Sequence, residues 1–143
     1  MQSDLVIVVD DDDELRNLLG DILTTDEFRV LDFNSPHAAL KEIRSGSIHG
    51  EIAEGHLPII VSDNLMPGGM TGLEFLKEVR KEYPGIPFVF MTAFGGDEIC
   101  RKSKEFGATS FLQKPFSLAD LQDHLMKAKT VLKSAPEARR GFS

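Results

Sequence analysis

The stretch Leu5 Val6 Ile7 Val8 Val9 Asp10 Asp11 Asp12 Asp13 decides the fold. Five consecutive β-favouring apolar residues predict a strand buried on both faces, as in a parallel sheet covered by helices. The four carboxylates that follow are harder to explain by folding alone. Like charges about 5 Å apart repel by roughly 3 kcal/mol at an effective dielectric near 20, so acids held together there need a compensating cation. A hard divalent metal bound through oxygen is one candidate. The other reading is a solvated turn leading into a helix, where acids suit the positive end of the helix dipole. The run alone does not choose between them.

Outward from this stretch, apolar runs alternate with amphipathic ones. Strands are predicted at Leu5 to Val9, Arg29 to Phe33, Pro58 to Ser62, Phe88 to Met91 and Thr109 to Leu112. Between the first two, Glu14 to Thr24 places Leu15, Leu18, Leu19, Ile22 and Leu23 on one helical face, and Gly72 to Lys81 does the same with Leu73, Leu76 and Val79. Ser35 caps a helix from Pro36 to Arg44, with proline in the first position, and Ser117 caps another from Leu118. A weaker helix is expected at about Gly96 to Phe106 because two glycines open it. Five βα units result, with no internal repeat. Ser45 to His56, with three glycines and mixed charge, is longer than an ordinary helix-to-strand connection and reads as a flexible excursion or a partner contact. The domain is expected over 1–133, and 134–143 as a tail or the start of a linker.

A chain of 143 residues buries a core without staples. Its net charge of -7 argues against nucleic acid or an anionic membrane as the main partner. The lone Cys100 excludes an internal disulfide framework, and His37, His49, His56 and His124 lack ligand spacing and are expected on the surface. With no apolar run long enough for a bilayer and no signal peptide, the cytoplasm is the expected location.

In parallel sheets, ligands gather at the carboxyl ends of the strands. Asp10 and Asp11 follow the first strand, Asp63 ends the third, Thr92 ends the fourth, and Lys114 follows the fifth, just before Pro115. Three carboxylates, a hydroxyl and an ammonium on one rim suit phosphoryl transfer to a carboxylate: an aspartate nucleophile, a divalent cation beside it, and a lysine and hydroxyl for the remaining phosphoryl oxygens. Asp63 stands alone after Pro58 Ile59 Ile60 Val61 and is the candidate nucleophile, whereas Asp10 and Asp11 form the pair a metal would take. Magnesium fits better than calcium, since few protein carboxylates with phosphate and water oxygens complete its octahedron.

The ordered motifs Val8 Val9 Asp10 Asp11 Asp12, Val61 Ser62 Asp63 Asn64 Leu65 Met66 Pro67, Met91 Thr92 Ala93, and Gly107 Ala108 through Phe111 Leu112 Gln113 Lys114 Pro115 Phe116 resemble the receiver domain of two-component response regulators, from about Leu5 to Leu132. The resemblance implies an α/β, flavodoxin-like (βα)5 fold with a five-stranded parallel sheet in the order 2-1-3-4-5, flanked by helices. It implies a signalling switch rather than an enzyme acting on a separate substrate. Asp63 would be the phosphoacceptor, loaded from a phosphohistidine of a sensor histidine kinase or histidine phosphotransfer protein. Asp10, Asp11, Asp63 and the backbone carbonyl of Leu65 would hold Mg2+; Thr92 and Lys114 would bind the phosphoryl oxygens; Thr92 and Phe111 would form the switch, with a cis bond from Lys114 to Pro115. An unidentified output protein or domain, and a homodimer through the face of the helix near Gly96 to Phe106, are the further partners implied. Arg101, Lys102 and Lys104 on that helix suit an acidic surface or are simply solvated.

Three departures from the common pattern stand out. Gly68 Gly69 Met70 Thr71 makes the loop before Gly72 one residue longer and rich in glycine; Phe111 stands where tyrosine is frequent; Leu65 and Phe94 flank the phosphoryl position, which predicts slow self-dephosphorylation. A haloacid-dehalogenase-type phosphatase would share the gap between Asp10 and Asp12 but needs threonine or valine at the position of Glu14. A helix-loop-helix calcium site needs glycine where Leu15 stands. A receiver-like interaction module that is never phosphorylated is the remaining alternative.

Overall fold

The computed structural model describes residues 4–64, 69–93 and 97–134. In chain order the elements are β1 (Leu5–Val9), α1 (Asp13–Thr25), β2 (Arg29–Phe33), α2 (Pro36–Ser45), α3 (Ser47–Ala53), β3 (Ile59–Asp63), α4 (Gly72–Glu82), β4 (Phe88–Thr92), α5 (Asp97–Glu105), β5 (Ser110–Gln113) and α6 (Leu118–Ser134). All strands are parallel, in the order β2-β1-β3-β4-β5. The three inner strands β1, β3 and β4 are buried along their whole length, as apolar runs without alternation require.

Register brings the functional ends level. Val9 stands opposite Ser62 and Asp63 opposite Met91, while Thr92 pairs with Gln113, the residue before Lys114. β3 and β5 each lie one residue further along the chain than their apolar runs suggest, and β4 starts as expected but ends one residue later, because ladder pairing, not hydropathy, sets where a strand stops.

The helices are closed by local chemistry. Asp12 caps α1, its carboxylate accepting the N–H groups of Glu14 and Leu15 at 3.0 and 3.2 Å. Ser35 caps α2 ahead of Pro36, and Thr71 and Glu74 form a reciprocal capping box on α4. Ser117 and Asp120 exchange the same pair of bonds at the start of α6.

Two expectations need correction. The segment from Ser45 to His56 is not a flexible excursion: it contains α3, whose Ile48 is fully buried and whose Glu51 pairs with Arg29 of β2 at 2.6 Å. Nor does the whole apolar face of α1 enter the core. Leu19 and Leu23 are buried and Leu15 and Ile22 pack partly against them, but Leu18 is 55% exposed. Three histidines lie on the surface as expected, whereas His124 is half-buried and shares a 2.7 Å hydrogen bond with Ser110. On α5, Arg101 and Lys102 pair with Glu105 and Glu98 of the same helix. Among the described residues, no helix is long and apolar enough to cross a membrane.

Candidate functional site

The acidic run divides its labour. Asp12 is the helix cap just described, and its own N–H donates to Asp10 Oδ1 at 2.9 Å. Asp13, exposed in the first turn of α1, pairs with Arg16 at 2.5 Å. That leaves Asp10 and Asp11 for the rim. The reading as a helix start therefore holds for the second half of the run, while the first half stands at the rim.

Asp10, Asp11 and Asp63 each place a carboxylate oxygen in one cluster, with all three atoms within 4.8 Å of one another. Asp10 and Asp63 are buried and Asp11 is exposed, so the cluster is open on one side. Carboxylate oxygens at this spacing, with an open side for water or phosphate oxygens, form a donor set for a hard divalent cation. Lys114 reaches in from the far end of β5, its Nζ 2.9 Å from Asp10 Oδ2 and 3.4 Å from Asp63 Oδ1. Its backbone N–H donates to the carbonyl of Thr92 at 2.8 Å, and the Lys114–Pro115 peptide is cis. Thr92 is buried at the end of β4. Asp10, Asp11, Asp63, Thr92 and Lys114 are thus brought to one rim, whereas Leu65 and Phe94 lie outside the described residues.

The electrostatics are uneven. Burial pushes the Asp63 carboxyl above the ordinary range; Lys114 pulls it back, the charge of Asp10 raises it again, and the net direction is up. For Lys114, burial disfavours the ammonium, but its hydrogen bond to Asp10 and the charges of Asp10 and Asp63 outweigh this and leave the group above its ordinary value. At the rim, one lysine is shared between two buried acids.

Two supporting residues carry no sequence signal of a conventional motif. Arg16 gathers the β1 end, donating to the Asp10 carbonyl at 2.8 Å and to Asp32 at the end of β2 at 2.9 Å. The cation that the acid run requires is in part this arginine, six residues on. Asn64, buried beside Asp63, accepts the N–H of Gly72 on its carbonyl at 3.0 Å and that of Leu73 on Oδ1 at 3.3 Å. Gly72 is dictated by this packing, since a Cβ there would sit 2.2 Å from the Asp63 carbonyl oxygen. The longer loop before it uses Gly69 at φ +139°, a conformation that favours glycine; Gly68 lies outside the described residues.

Phe111 of β5 is half-buried and stacks on Phe90 of β4 with ring centres 6.0 Å apart. The row continues through Phe88 to Phe75 of α4, at 6.3 and 5.5 Å. An aromatic line thus joins α4, which starts against Asp63, to the outer edge of the sheet at β5.

The sequence profile of the response regulator receiver domain matches residues 6–126. The chain is 32% identical over 118 residues to response regulator protein FleR of Pseudomonas aeruginosa, a match covering 82% of this chain and 23% of that protein. It is 26% identical over 127 residues to sporulation initiation phosphotransferase F of Bacillus subtilis, covering 89% of this chain and 94% of that one. The chain therefore spans under a quarter of the former and nearly all of the latter. The structure of chemotaxis protein CheY4 of Vibrio cholerae superposes with a TM-score of 0.75 at 28% identity, covering 88% of this chain and 98% of that one. Profile, relatives and strand order agree with an acidic rim closed by a lysine: the chain belongs to the response regulator receiver domain family of two-component systems.

Proposed function

We propose that this receiver is a phosphoacceptor switch loaded on Asp63. The observation that carries the reading is the placement of Lys114 between Asp10 and Asp63 beside the three-carboxylate cluster. An Oδ atom of Asp63 attacks phosphorus of a phosphohistidine on a sensor kinase or phosphotransfer protein. The P–N bond breaks, the leaving imidazole takes a proton, and an acyl phosphate remains on Asp63. Lys114 and Thr92 stand where they can hold phosphoryl oxygens, and Asp10, Asp11, Asp63 and the Leu65 carbonyl are the groups that would hold Mg2+. When bound, that ion supplies positive charge against the developing phosphoryl charge. The chain thereby catalyses only its own loading and unloading.

The approach of a donor is supported by an apolar surface next to the site. Leu15, Leu18, Ala93, Pro115 and Phe116 line a cavity of about 500 Å³ that borders Lys114. Exposed Leu18 thus has a use that core packing does not give it. On the output side, a phosphoryl group adds charge and acceptor oxygens near Thr92, and movement of that hydroxyl frees room toward which Phe111 can turn, remodelling α5, β5 and α6.

The test is intact mass after incubation with Mg2+ and a small-molecule phosphodonor, comparing wild type with Asp63→Asn. One added phosphoryl group that requires Mg2+ and is lost in the variant is the expected result. No gain, with no Mg2+ binding, would leave a phosphorylation-independent interaction module and sink the mechanism.

A further inference from the structure

Asp63 ends β3, and the chain must hold its carboxylate still while phosphorus approaches. A strand end does not do this by itself, because the ladder that fixes β3 stops at Asp63, opposite Met91. The next residue, Asn64, is only 7% exposed and is joined to the first turn of α4 twice: through its carbonyl to Gly72 N–H and through its side-chain Oδ1 to Leu73 N–H. Two of the otherwise unpaired N–H groups that open α4 are therefore satisfied by the neighbour of the phosphoacceptor, and a third, on Glu74, by Thr71. The two backbones also touch, as the missing side chain of Gly72 against the Asp63 carbonyl shows.

We propose that Asn64 is a positioning residue for phosphorylation: its side-chain amide locks the end of β3 to α4 and so fixes Asp63 relative to Asp10 and Lys114. The proposal rests on the phosphoacceptor reading above. An apolar residue of similar size would fill the same space but leave Leu73 N–H without its acceptor, and the strand end would be tied to α4 by one backbone bond. Displacement of a reacting group by about 1 Å is enough to cost on the order of 100-fold in rate. A helix cap that merely stabilises would lower the melting temperature and leave the rate of a folded protein unchanged.

The experiment compares wild type, Asn64→Leu and Asn64→Asp. The aspartate keeps an acceptor of the same reach for Leu73 N–H; the leucine does not. The readouts are the rate of phosphoryl gain from acetyl phosphate at saturating Mg2+, taken well below each melting temperature, and hydrogen exchange of the Leu73 amide. The leucine variant is expected to load at least tenfold more slowly with faster Leu73 exchange, and the aspartate variant to recover most of the rate. Wild-type loading by a folded leucine variant, or equal slowing in both variants, would overturn the positioning role while leaving the phosphoacceptor reading intact. A wild type that never gains a phosphoryl group would overturn that reading, and the proposal with it.

Discussion

Lys114 donates to Asp10 at 2.9 Å but stands 3.4 Å from Asp63, so the ammonium compensates the acid of β1 more fully than the acid of β3. Asp63 keeps the penalty, and burial leaves its carboxyl raised in the folded state. Between the ordinary value of 3.8 and that raised value the native chain binds more protons than the unfolded one. Stability then falls as pH rises through the window, and the loss is complete above it. Asp63→Asn removes the charge. In the absence of divalent cations its melting temperature at pH 7 is expected to exceed that of wild type by a few degrees, since about 1 kcal/mol moves the midpoint of domains near this size by roughly 2–8 °C. The difference should shrink as pH falls and vanish more than about one unit below the ordinary value of 3.8, where the carboxyl is protonated in both states. Thermal unfolding of both proteins across pH checks both ends, and a variant that gains no stability over wild type at neutral pH relative to acid would refute the assignment.

Removing the ammonium has the opposite sign. Lys114→Gln leaves Asp10, which is 1% exposed, without its cation. Breaking a buried pair from one side typically costs about 3–5 kcal/mol, and the half-buried lysine places the effect near the lower end. Because the pKa of Lys114 is raised in the fold, its contribution is fully present below 10.5 and is lost as pH climbs through the higher folded value. The variant should therefore be destabilised at pH 7 and progressively less so in strong alkali. Added Mg2+ should recover part of the loss at neutral pH, because any ligand that binds only the folded state stabilises it. Chemical denaturation with and without Mg2+ measures this directly.

How much of this was legible beforehand depended on whether a signal was local. β1 announces itself by five apolar residues in a row, and the rim residues follow because parallel strands end on one side. Ser35 and Ser117 cap their helices from within three residues, so sequence suffices for them. α3 is different. Its seven residues include glycine and two β-branched isoleucines, its N-cap Gly46 makes no side-chain cap bond, and tertiary contacts hold it: buried Ile48 and the Arg29–Glu51 pair, 22 residues apart. Asn64 and Arg16 escaped notice for the same reason, since each acts on groups whose proximity exists only after folding.

Ile48→Ala tests the helix that composition hid. The side chain is fully buried against the body of the domain, and truncation of such a residue costs about 2–5 kcal/mol. If the segment were a loose excursion, as its glycines suggest, the loss would be a few tenths at most. α3 lies before β3 in the chain and contributes no residue to the acidic cluster, so the folded variant should still accept a phosphoryl group at the wild-type rate. Denaturant unfolding together with the loading assay separates the two quantities.

Phe111 is where loading and response should come apart. Its ring stacks on Phe90 and is not part of the three-carboxylate cluster, while its position on β5 places it beside a groove shared with Cys100, Ser103, Lys104, His124 and Lys127 of α5 and α6. Phe111→Ala should leave the rate and extent of phosphoryl gain unchanged within about twofold. The ring is also the outer member of the aromatic row that begins at Phe75, and aromatic pairs contribute about 0.5–1.5 kcal/mol beyond the area they bury, so a modest fall in stability is expected. If the ring transmits the modified state, the amide chemical-shift changes that phosphorylation induces along α5, β5 and α6 should shrink in the variant while those at Asp63 persist. Equal shifts along both regions would show that the loaded site reaches α5 through Thr92 and the backbone of β4 alone, and Phe111 would then be a packing residue.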